Sequence, residues 1–514
     1  MRARIDSHRH SPRPTLTLAL TLISMSDRIL SAQEVQRIER SAFSQGVDAE
    51  ALMDQAGLGI ANAILGLERK PGVCLAYLGK GNNAGDALVA CAALSQAGWE
   101  IWIRKTSPEL QPLPAKKLQG VKPVTVDDPL HKLHESKPRI ILDGILGLGS
   151  RPQLSPALAA YTKELNMVRD ESGANTYAID LPTGVGEDGV DPNTVVADVT
   201  VTIGFPKKAL MQDDATRFVG RILVVDLEDL SNRAGAAADQ PILSGPVNLR
   251  HLVARRPFDS HKGNMGRVGI VAGSRGFVGA AVMSAEAAAR AGAGLTYLYV
   301  PEEIYPFIVT KVTPEVMVKP VDDLRSVLSD RLDAIGLGPG SGHSRTEEAL
   351  EIISKFTGPM VVDADALNML AGHTDCLKSC AGARLLTPHP GEMARIWETK
   401  NKSRSQIVLE FTNEYPVALL LKGARTLVGQ SGKPLAFNST GTPGLATGGS
   451  GDVLTGVCSA LLGRGIAEYD AGRLGAWLCG RAAELAVADS SEESMLPTDL
   501  FRYFGQAFRQ ARQR

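Results

Sequence analysis

From residue 441 the chain reads Gly441-Thr442-Pro443-Gly444-Leu445-Ala446-Thr447-Gly448-Gly449-Ser450-Gly451-Asp452 and then turns apolar. Glycines this dense before a helix expose successive backbone N–H groups, and such a concavity at a helix start takes anions. Asp452 can be a plain helix cap. Yet the glycine density exceeds what a cap needs, and a carboxylate beside a bound phosphate can take the proton of an attacking hydroxyl. No Gly-x-x-x-x-Gly-Lys-Ser/Thr run occurs, so this is not a P-loop. Upstream, Lys422-Gly423-Ala424-Arg425-Thr426 puts a cation directly after an apolar run, for nucleotide contact or as a solvated strand end. His389-Pro390-Gly391-Glu392-Met393-Ala394-Arg395 forms a stiff loop carrying His389 and Glu392. Asp363 and Asp365 stand at another strand end, suited equally to metal-water binding or to helix capping by Asp365.

The first half holds a different polar set. Gly79-Lys80-Gly81-Asn82-Asn83-Ala84-Gly85-Asp86 follows an apolar run and opens a helical one. Glycines admit close backbone approach, and a helix start offers free N–H groups. Gly79-x-Gly81-x-x-Ala84 alone is a weak dinucleotide fingerprint. Asn82, Asn83 and Asp86 add polar groups suited to a carboxamide, a ribose or a cation. Asp143 precedes Gly147-Leu148-Gly149-Ser150-Arg151-Pro152-Gln153, and Asp180 precedes Pro182-Thr183-Gly184. Acids at the carboxyl ends of parallel strands share one crevice.

These loops need strand–helix alternation to hold them. The apolar pattern predicts strands at Val73–Leu78, Glu100–Arg104, Arg139–Leu142, Asn175–Ile179, Ala197–Ile203 and Ile222–Val225, with a helix over Gly85–Ala97. The rhythm lapses from Glu228 to Asn248 and resumes at Arg267–Ala272, Leu295–Val300, Ala334–Leu337, Met360–Val362, Ala383–Leu386 and Val417–Leu421. Helices are expected at Ala280–Ala291 and Asp452–Leu462. The expected fold class is α/β in two domains, one Rossmann-like and one of about 260 residues. The expected boundaries are a poorly ordered extension over 1–26, a first domain over 27–230, a linker over 231–248 and a second domain over 249–514.

At 514 residues two domains are the natural reading, and 55 Lys plus Arg nearly cancel 56 Asp plus Glu. No global field therefore favours nucleic acid or an anionic membrane. Six cysteines without a CxxC pair suggest neither a disulfide scaffold nor zinc, and fit a reducing cytoplasm. Arg2, Arg4, Arg9 and Arg13 before the run Leu16 to Ile23 resemble a weak signal peptide, too short to span a bilayer. Translation from Met25, ahead of a helix capped by Ser31, is the favoured reading.

The three first-half loops resemble the epimerase domain of the bifunctional NAD(P)H-hydrate repair enzymes, over roughly Ile29 to Asp226. The resemblance implies that Asn82 to Asp86, Gly147 to Gln153 and Asp180 hold the dinucleotide. It implies K+ between Asn83, Asp143 and Thr183, with Asp143 giving acid/base help. Ala84 and Ala87 depart from family glycines, Leu148 from a usual Thr or Phe and Thr183 from Ser, and the Ala84 methyl is expected to crowd the ligand.

The second half resembles the ribokinase-like superfamily and its dehydratase branch, through Ser260-His261-Lys262-Gly263, Gly338-Pro339-Gly340, the Asp363 to Asn368 run and the His389 loop. That implies nucleotide contacts from Lys422 to Thr426 and Thr442 to Gly451. It also implies the hydrated cofactor near Ala280, Gly340 and His389 to Arg395, with Asp452 catalytic. The implied activity is epimerisation of hydrated NADH or NADPH (NADHX, NADPHX) and dehydration of the S form using ADP or ATP with Mg2+. ADP is favoured, and a homo-oligomer is expected. The competing readings are a hydroxymethylpyrimidine- or sugar-type kinase, a first domain that only binds, and a plain NAD oxidoreductase. The last is disfavoured by Arg104 where an acid is wanted.

Overall fold

The computed structural model describes residues 27–233 and 240–513, so the arginine-flanked run of the first 26 residues lies outside the described residues. Seven strands, β1 (Val73–Leu78), β2 (Glu100–Lys105), β3 (Val124–Thr125), β4 (Ile140–Gly144), β5 (Asn175–Ile179), β6 (Val199–Ile203) and β7 (Arg221–Val225), form one sheet. Their order is β3-β2-β1-β4-β5-β6-β7, and every neighbouring pair is parallel. Chain order reverses beside β1, which opens a crevice at its carboxyl end, where ligands bind in such sheets. Side chains of β1 alternate between two cores. Cys74, Ala76 and Leu78 join helices Ala49–Leu67 and Asn82–Gln96, while Val73, Leu75 and Tyr77 meet Leu165 and Val168 of helix Pro156–Ser172.

The second sheet comprises β8 (Ile242–Ser244), β9 (Arg267–Val271), β10 (Leu295–Pro301), β11 (Val316–Val321), β12 (Ala334–Leu337), β13 (Met360–Val362), β14 (Arg384–Leu386), β15 (Ala418–Leu421), β16 (Leu427–Gly429) and β17 (Ala436–Asn438). Their order is β8-β17-β16-β15-β14-β13-β12-β9-β10-β11, with only β16 antiparallel to its neighbours. Here the reversal falls at β9, between β10 and β12. Gly338, just after β12, has φ +121°, and a Cβ there would lie 1.9 Å from the carbonyl oxygen of Asp363. The backbone can pass under the acid-bearing loop only without a side chain.

The expected linker is partly regular structure: Ile242–Ser244 pairs with Ala436–Asn438 at the edge of the second sheet. Three residues are too few to show a period, so composition alone reads them as linker. Short strands β3, β16 and β17 escape notice for the same reason, and Pro320 hides β11 at the opposite edge. Ser31 does cap helix Ala32–Ser44, in a reciprocal capping box with Glu34. The two halves share an apolar core: Leu181, Phe218, Val219 and Ile222 cluster with Leu243, Leu421 and Phe437.

Gly338→Ala should destabilise the second domain by about 3 kcal/mol or more, lowering a thermal midpoint by roughly 6–12 °C. Differential scanning calorimetry checks this.

Candidate active sites

In the first domain, loops from neighbouring strand ends meet at the β1/β4 crevice. Asp143, the penultimate residue of β4, is fully buried. It accepts hydrogen bonds from the Thr183 backbone N–H (2.7 Å), the Thr183 hydroxyl (2.8 Å) and the Ile145 N–H (3.2 Å). Burial pushes its carboxyl up to about 6, and the Thr183 bonds offset only part of that. Asn83, in the first turn of its helix, places Oδ1 only 2.8 Å from where a Cβ on Gly147 would lie. Its Nδ2 is buried without a hydrogen-bond partner among the described residues. A buried donor left unpaired is costly, and a ligand acceptor would relieve it. The Asp143 carboxylate and the Thr183 hydroxyl, 2.8 Å apart, are oxygen donors of the kind a hard cation takes, as is Asn83 Oδ1.

Asp180 sits at φ +67° immediately after β5. Its carboxylate pairs with Lys207, which is buried and also donates to the Ile203 carbonyl at 2.6 Å and the Thr202 hydroxyl at 3.2 Å. Lys207 was missed by sequence reasoning. The signal available was a further strand end, Gly204-Phe205-Pro206-Lys207, carrying a cation after β6. Burial, with the Asp180 and Glu39 carboxylates nearby, raises Asp86 well above the usual carboxylate range, against the pull of Lys207.

Ala84 and Ala87 do not face the ligand: both are fully buried among Leu88, Cys91 and Leu142, so the expected crowding by the Ala84 methyl does not arise. In the Gly147 to Gln153 loop, Ser150 is buried and accepts from the Gly184 N–H at 2.9 Å, while Gln153 is left-handed at φ +74°. Leu148 packs against the helix-side core. Arg104 turns from the crevice to a two-bond pairing with Glu164 at 3.0 and 3.1 Å.

The second domain opens a cavity of about 1870 Å³ lined by Asp363, His389, Glu392, Lys422 to Thr426, Thr442, Thr447 to Asp452 and first-domain residues. A pocket for one small ligand is typically about 300–1,000 Å³, so this cavity exceeds that range; Ala280 and Gly340 are not among its lining residues. Helix Ser450–Gly463 starts at Gly449, left-handed at φ +102°, and Asp452 lies in its first turn. A Cβ on Gly451 would lie 3.4 Å from Lys422 Nζ, so the cation sits directly below the helix start. Lys422 Nζ donates to Asp363 at 2.8 Å and lies 3.6 Å from Glu392. Thr455 holds the other Asp363 oxygen at 2.6 Å. The Ser450 hydroxyl is buried without a partner among the described residues, a further polar group awaiting a ligand.

Burial and the Asp363 carboxylate push Asp452 up to about 7, while Lys422 pulls it back. His389 caps helix Pro390–Ile396: its Nδ1 accepts from Gly391 N (3.0 Å) and Glu392 N (3.2 Å), leaving Nε2 to carry the proton. Asp365 is not the helix cap; it accepts from the Gly342 N–H at 2.8 Å, and Ala364 takes the cap position. Met393 is fully buried in the apolar core, so it cannot touch the cofactor. Arg395 binds Asn368 at 2.7 Å, and Ala394 is exposed. Ala280 and Gly340 come together, 3.0 Å apart as Cβ positions, and the same helix reaches Gly449 through Met283. Gly444 is buried against Glu492 and Val487, and Thr442 donates to Glu492 at 3.0 Å.

A doubly wound domain with a polar glycine loop, joined to a domain where Lys, Asp and a glycine-lined helix start share a cleft, defines a two-domain α/β enzyme. A family profile described as NAD(P)H-hydrate dehydratase matches residues 268–505, and one described as YjeF-related protein N-terminus matches 49–209. The chain is 32% identical to the bifunctional NAD(P)H-hydrate repair enzyme of Moorella thermoacetica, over 92% of this chain and 95% of that one. It is 31% identical to its Escherichia coli namesake, over 94% and 95%. An ADP/ATP-dependent NAD(P)H-hydrate dehydratase from Bacillus subtilis, crystallised with ATP and Mg2+, superposes with TM-score 0.46 at 27% identity, covering 54% of this chain and 100% of its own. The chain belongs to the family of bifunctional NAD(P)H-hydrate repair enzymes.

With its carboxyl raised to about 7, folded Asp452 holds a proton that the unfolded chain releases near pH 4, so stability falls as pH rises through that window. Asp452→Asn should therefore raise the melting midpoint at pH 8, and the gain should vanish toward pH 4 in a thermal series.

Proposed function

We propose that each half of this family member performs its reaction with the residues just described. The chain is a two-activity enzyme, an NAD(P)H-hydrate epimerase and an NAD(P)H-hydrate dehydratase. The observation that carries the residue assignment is the convergence of Lys422, the Gly449–Gly451 helix start, the unpartnered Ser450 hydroxyl and Asp452 on one cleft.

In the first domain, Asn83 and the Gly147–Gln153 loop bind the hydrated dinucleotide, and Asp180 is held at its edge by Lys207. Asp143, raised to about 6, exchanges a proton at the hydrated carbon. A K+ ion on Asn83, Asp143 and Thr183 would supply positive charge that keeps this carboxylate ionised.

In the second domain, backbone N–H groups of Thr447 to Gly451 and the Lys422 ammonium hold the phosphates of ADP or ATP. Asp452 takes the proton of the C6 hydroxyl of the S epimer as the terminal phosphoryl group passes to that oxygen and AMP or ADP departs; the ring nitrogen lone pair then expels phosphate, and loss of a C5 proton restores the ring double bond. His389 lines the same cleft, its Nε2 3.4 Å from a Glu392 carboxylate oxygen. No three His, Cys, Asp or Glu side chains among the described residues group to hold a metal ion, so Mg2+ fits as the companion of nucleotide phosphates. It would neutralise phosphate charge. ADP is the preferred nucleotide in this reading.

The dehydratase unit begins at or before Ile242, since that strand belongs to its sheet. Among the described residues no helix is long and apolar enough to cross a membrane. A cytoplasmic homo-oligomer without a nucleic-acid partner completes the proposal.

Purified chain given mixed NADHX epimers and ADP or ATP should convert both, read as regained NADH absorbance. Asp143→Asn should stop at the S fraction, and Asp452→Asn should abolish dehydration by about 10²–10⁴-fold while epimers still interchange. Because the base must be ionised, wild-type dehydration should climb as pH rises through about 7. A stable phosphorylated product would instead make the second domain a kinase.

A further inference from the structure

Both nucleotide loops of the second domain are anchored on one short segment of the first. The Lys422–Thr426 loop is held twice. Arg404 donates to the Ala424 carbonyl at 2.9 Å and the Arg425 carbonyl at 2.6 Å, and is itself fixed by first-domain Asp213, which lies 3.0 Å from Nε and accepts from the Arg404 N–H at 3.1 Å. The guanidinium of Arg425 donates to the first-domain Gly220 carbonyl at 3.0 Å. Arg425 sits at φ +62°, a region that costs an arginine energy and persists only where neighbours impose it.

The glycine loop is held by a relay. First-domain Arg221 lies 3.0 Å from Glu484, whose other carboxylate oxygen accepts from the Gly441 N–H at 3.1 Å. Arg481 flanks the same carboxylate at 2.6 Å, and Glu484 is only 6% exposed. Gly441 is left-handed at φ +141°, so without that bond the start of the loop has many alternatives. The same segment, Asp213 to Ile222, lines the cavity across from these loops.

We propose that Asp213 and Arg221 of the epimerase domain are positioning residues for the dehydratase, setting the shape in which its two loops receive the adenine nucleotide. The inference rests on the reading of that cleft as a nucleotide site. Fixing a loop in its bound shape raises affinity by sparing the ordering cost. Loss of the tether should therefore appear in nucleotide binding before turnover and leave the epimerase crevice alone.

The test uses the full chain, with ADP and ATP each titrated by calorimetry and steady-state rates measured for both activities. Arg221→Gln and Asp213→Asn should each weaken nucleotide binding and raise nucleotide KM about tenfold. Dehydratase kcat should fall less than about twofold, and epimerisation and the KM for hydrated NADH should stay unchanged. Arg221→Lys should recover part of the loss, since a point charge reaches Glu484 without the planar fork. Glu484→Gln approaches the relay from the other domain and serves if Arg221→Gln does not fold. Combined with Arg221→Lys it should add little further loss. Lys355→Ala, which removes an exposed pair with Glu351 that does not line the cavity, should change nothing. Unchanged nucleotide affinity in folded variants overturns the proposal, as does an equal loss in both activities. A wild-type chain that binds neither ADP nor ATP overturns the reading of the cleft and this inference with it.

Discussion

The chemistry of the second domain turns on where one ammonium is kept. Burial pulls Lys422 toward the neutral form, but Asp363 and Glu392 more than offset it, so the cation persists beneath the start of helix Ser450–Gly463. A charge pair this enclosed is tolerable only because each group is further bonded: Thr455 completes Asp363, and the His389 backbone N–H donates to Glu392 at 2.8 Å. Lys422 and the helix dipole then present positive potential to the same point in space. Asp452, beside them but without a strong partner of its own, is left with a carboxyl near neutrality. Positive potential at the helix start and a carboxyl raised to about 7 beside it thus follow from a single arrangement of charges.

In the first domain the central acid is held by hydrogen bonds rather than by a paired lysine. Asp143 is buried on hydrogen bonds alone, three donors against full desolvation, and its carboxyl is pushed up to about 6. Asp180 is instead paired with the buried Lys207. Two acids at neighbouring strand ends therefore differ in character because of what surrounds them.

Much of this was legible in the residues. Long strands followed by glycine or acid, such as Val73–Leu78 before Gly79 and Ile140–Gly144 around Asp143, announce themselves by apolar runs and their punctuation. The glycine concentration before Asp452 did the same for the helix start beside Lys422. What stayed hidden depends on contacts distant in sequence. Lys207 becomes a site residue only because β6 lies beside β5. Met393 sits within a recognisable loop, yet helical geometry turns it into the core. Ala84 looked like an intrusion on the ligand, and the helix start aims its methyl at Leu88 and Cys91 instead. The strand Ile242–Ser244 has no period to read and is defined only by its partner Ala436–Asn438.

The segment just before the first helix has a consequence for how the molecule could be taken apart. Leu30 exchanges backbone hydrogen bonds with Pro206 and Lys208 of the first domain, while Ile29 donates to Pro241 and Arg28 bridges Ile242 at the rim of the second sheet. Peptide continuity between Arg233 and Gln240 is therefore not what unites the halves. A nick there would leave two fragments clasped by this splint and by their common apolar core, so proteolysis at that point would alter a gel band without dismantling the particle.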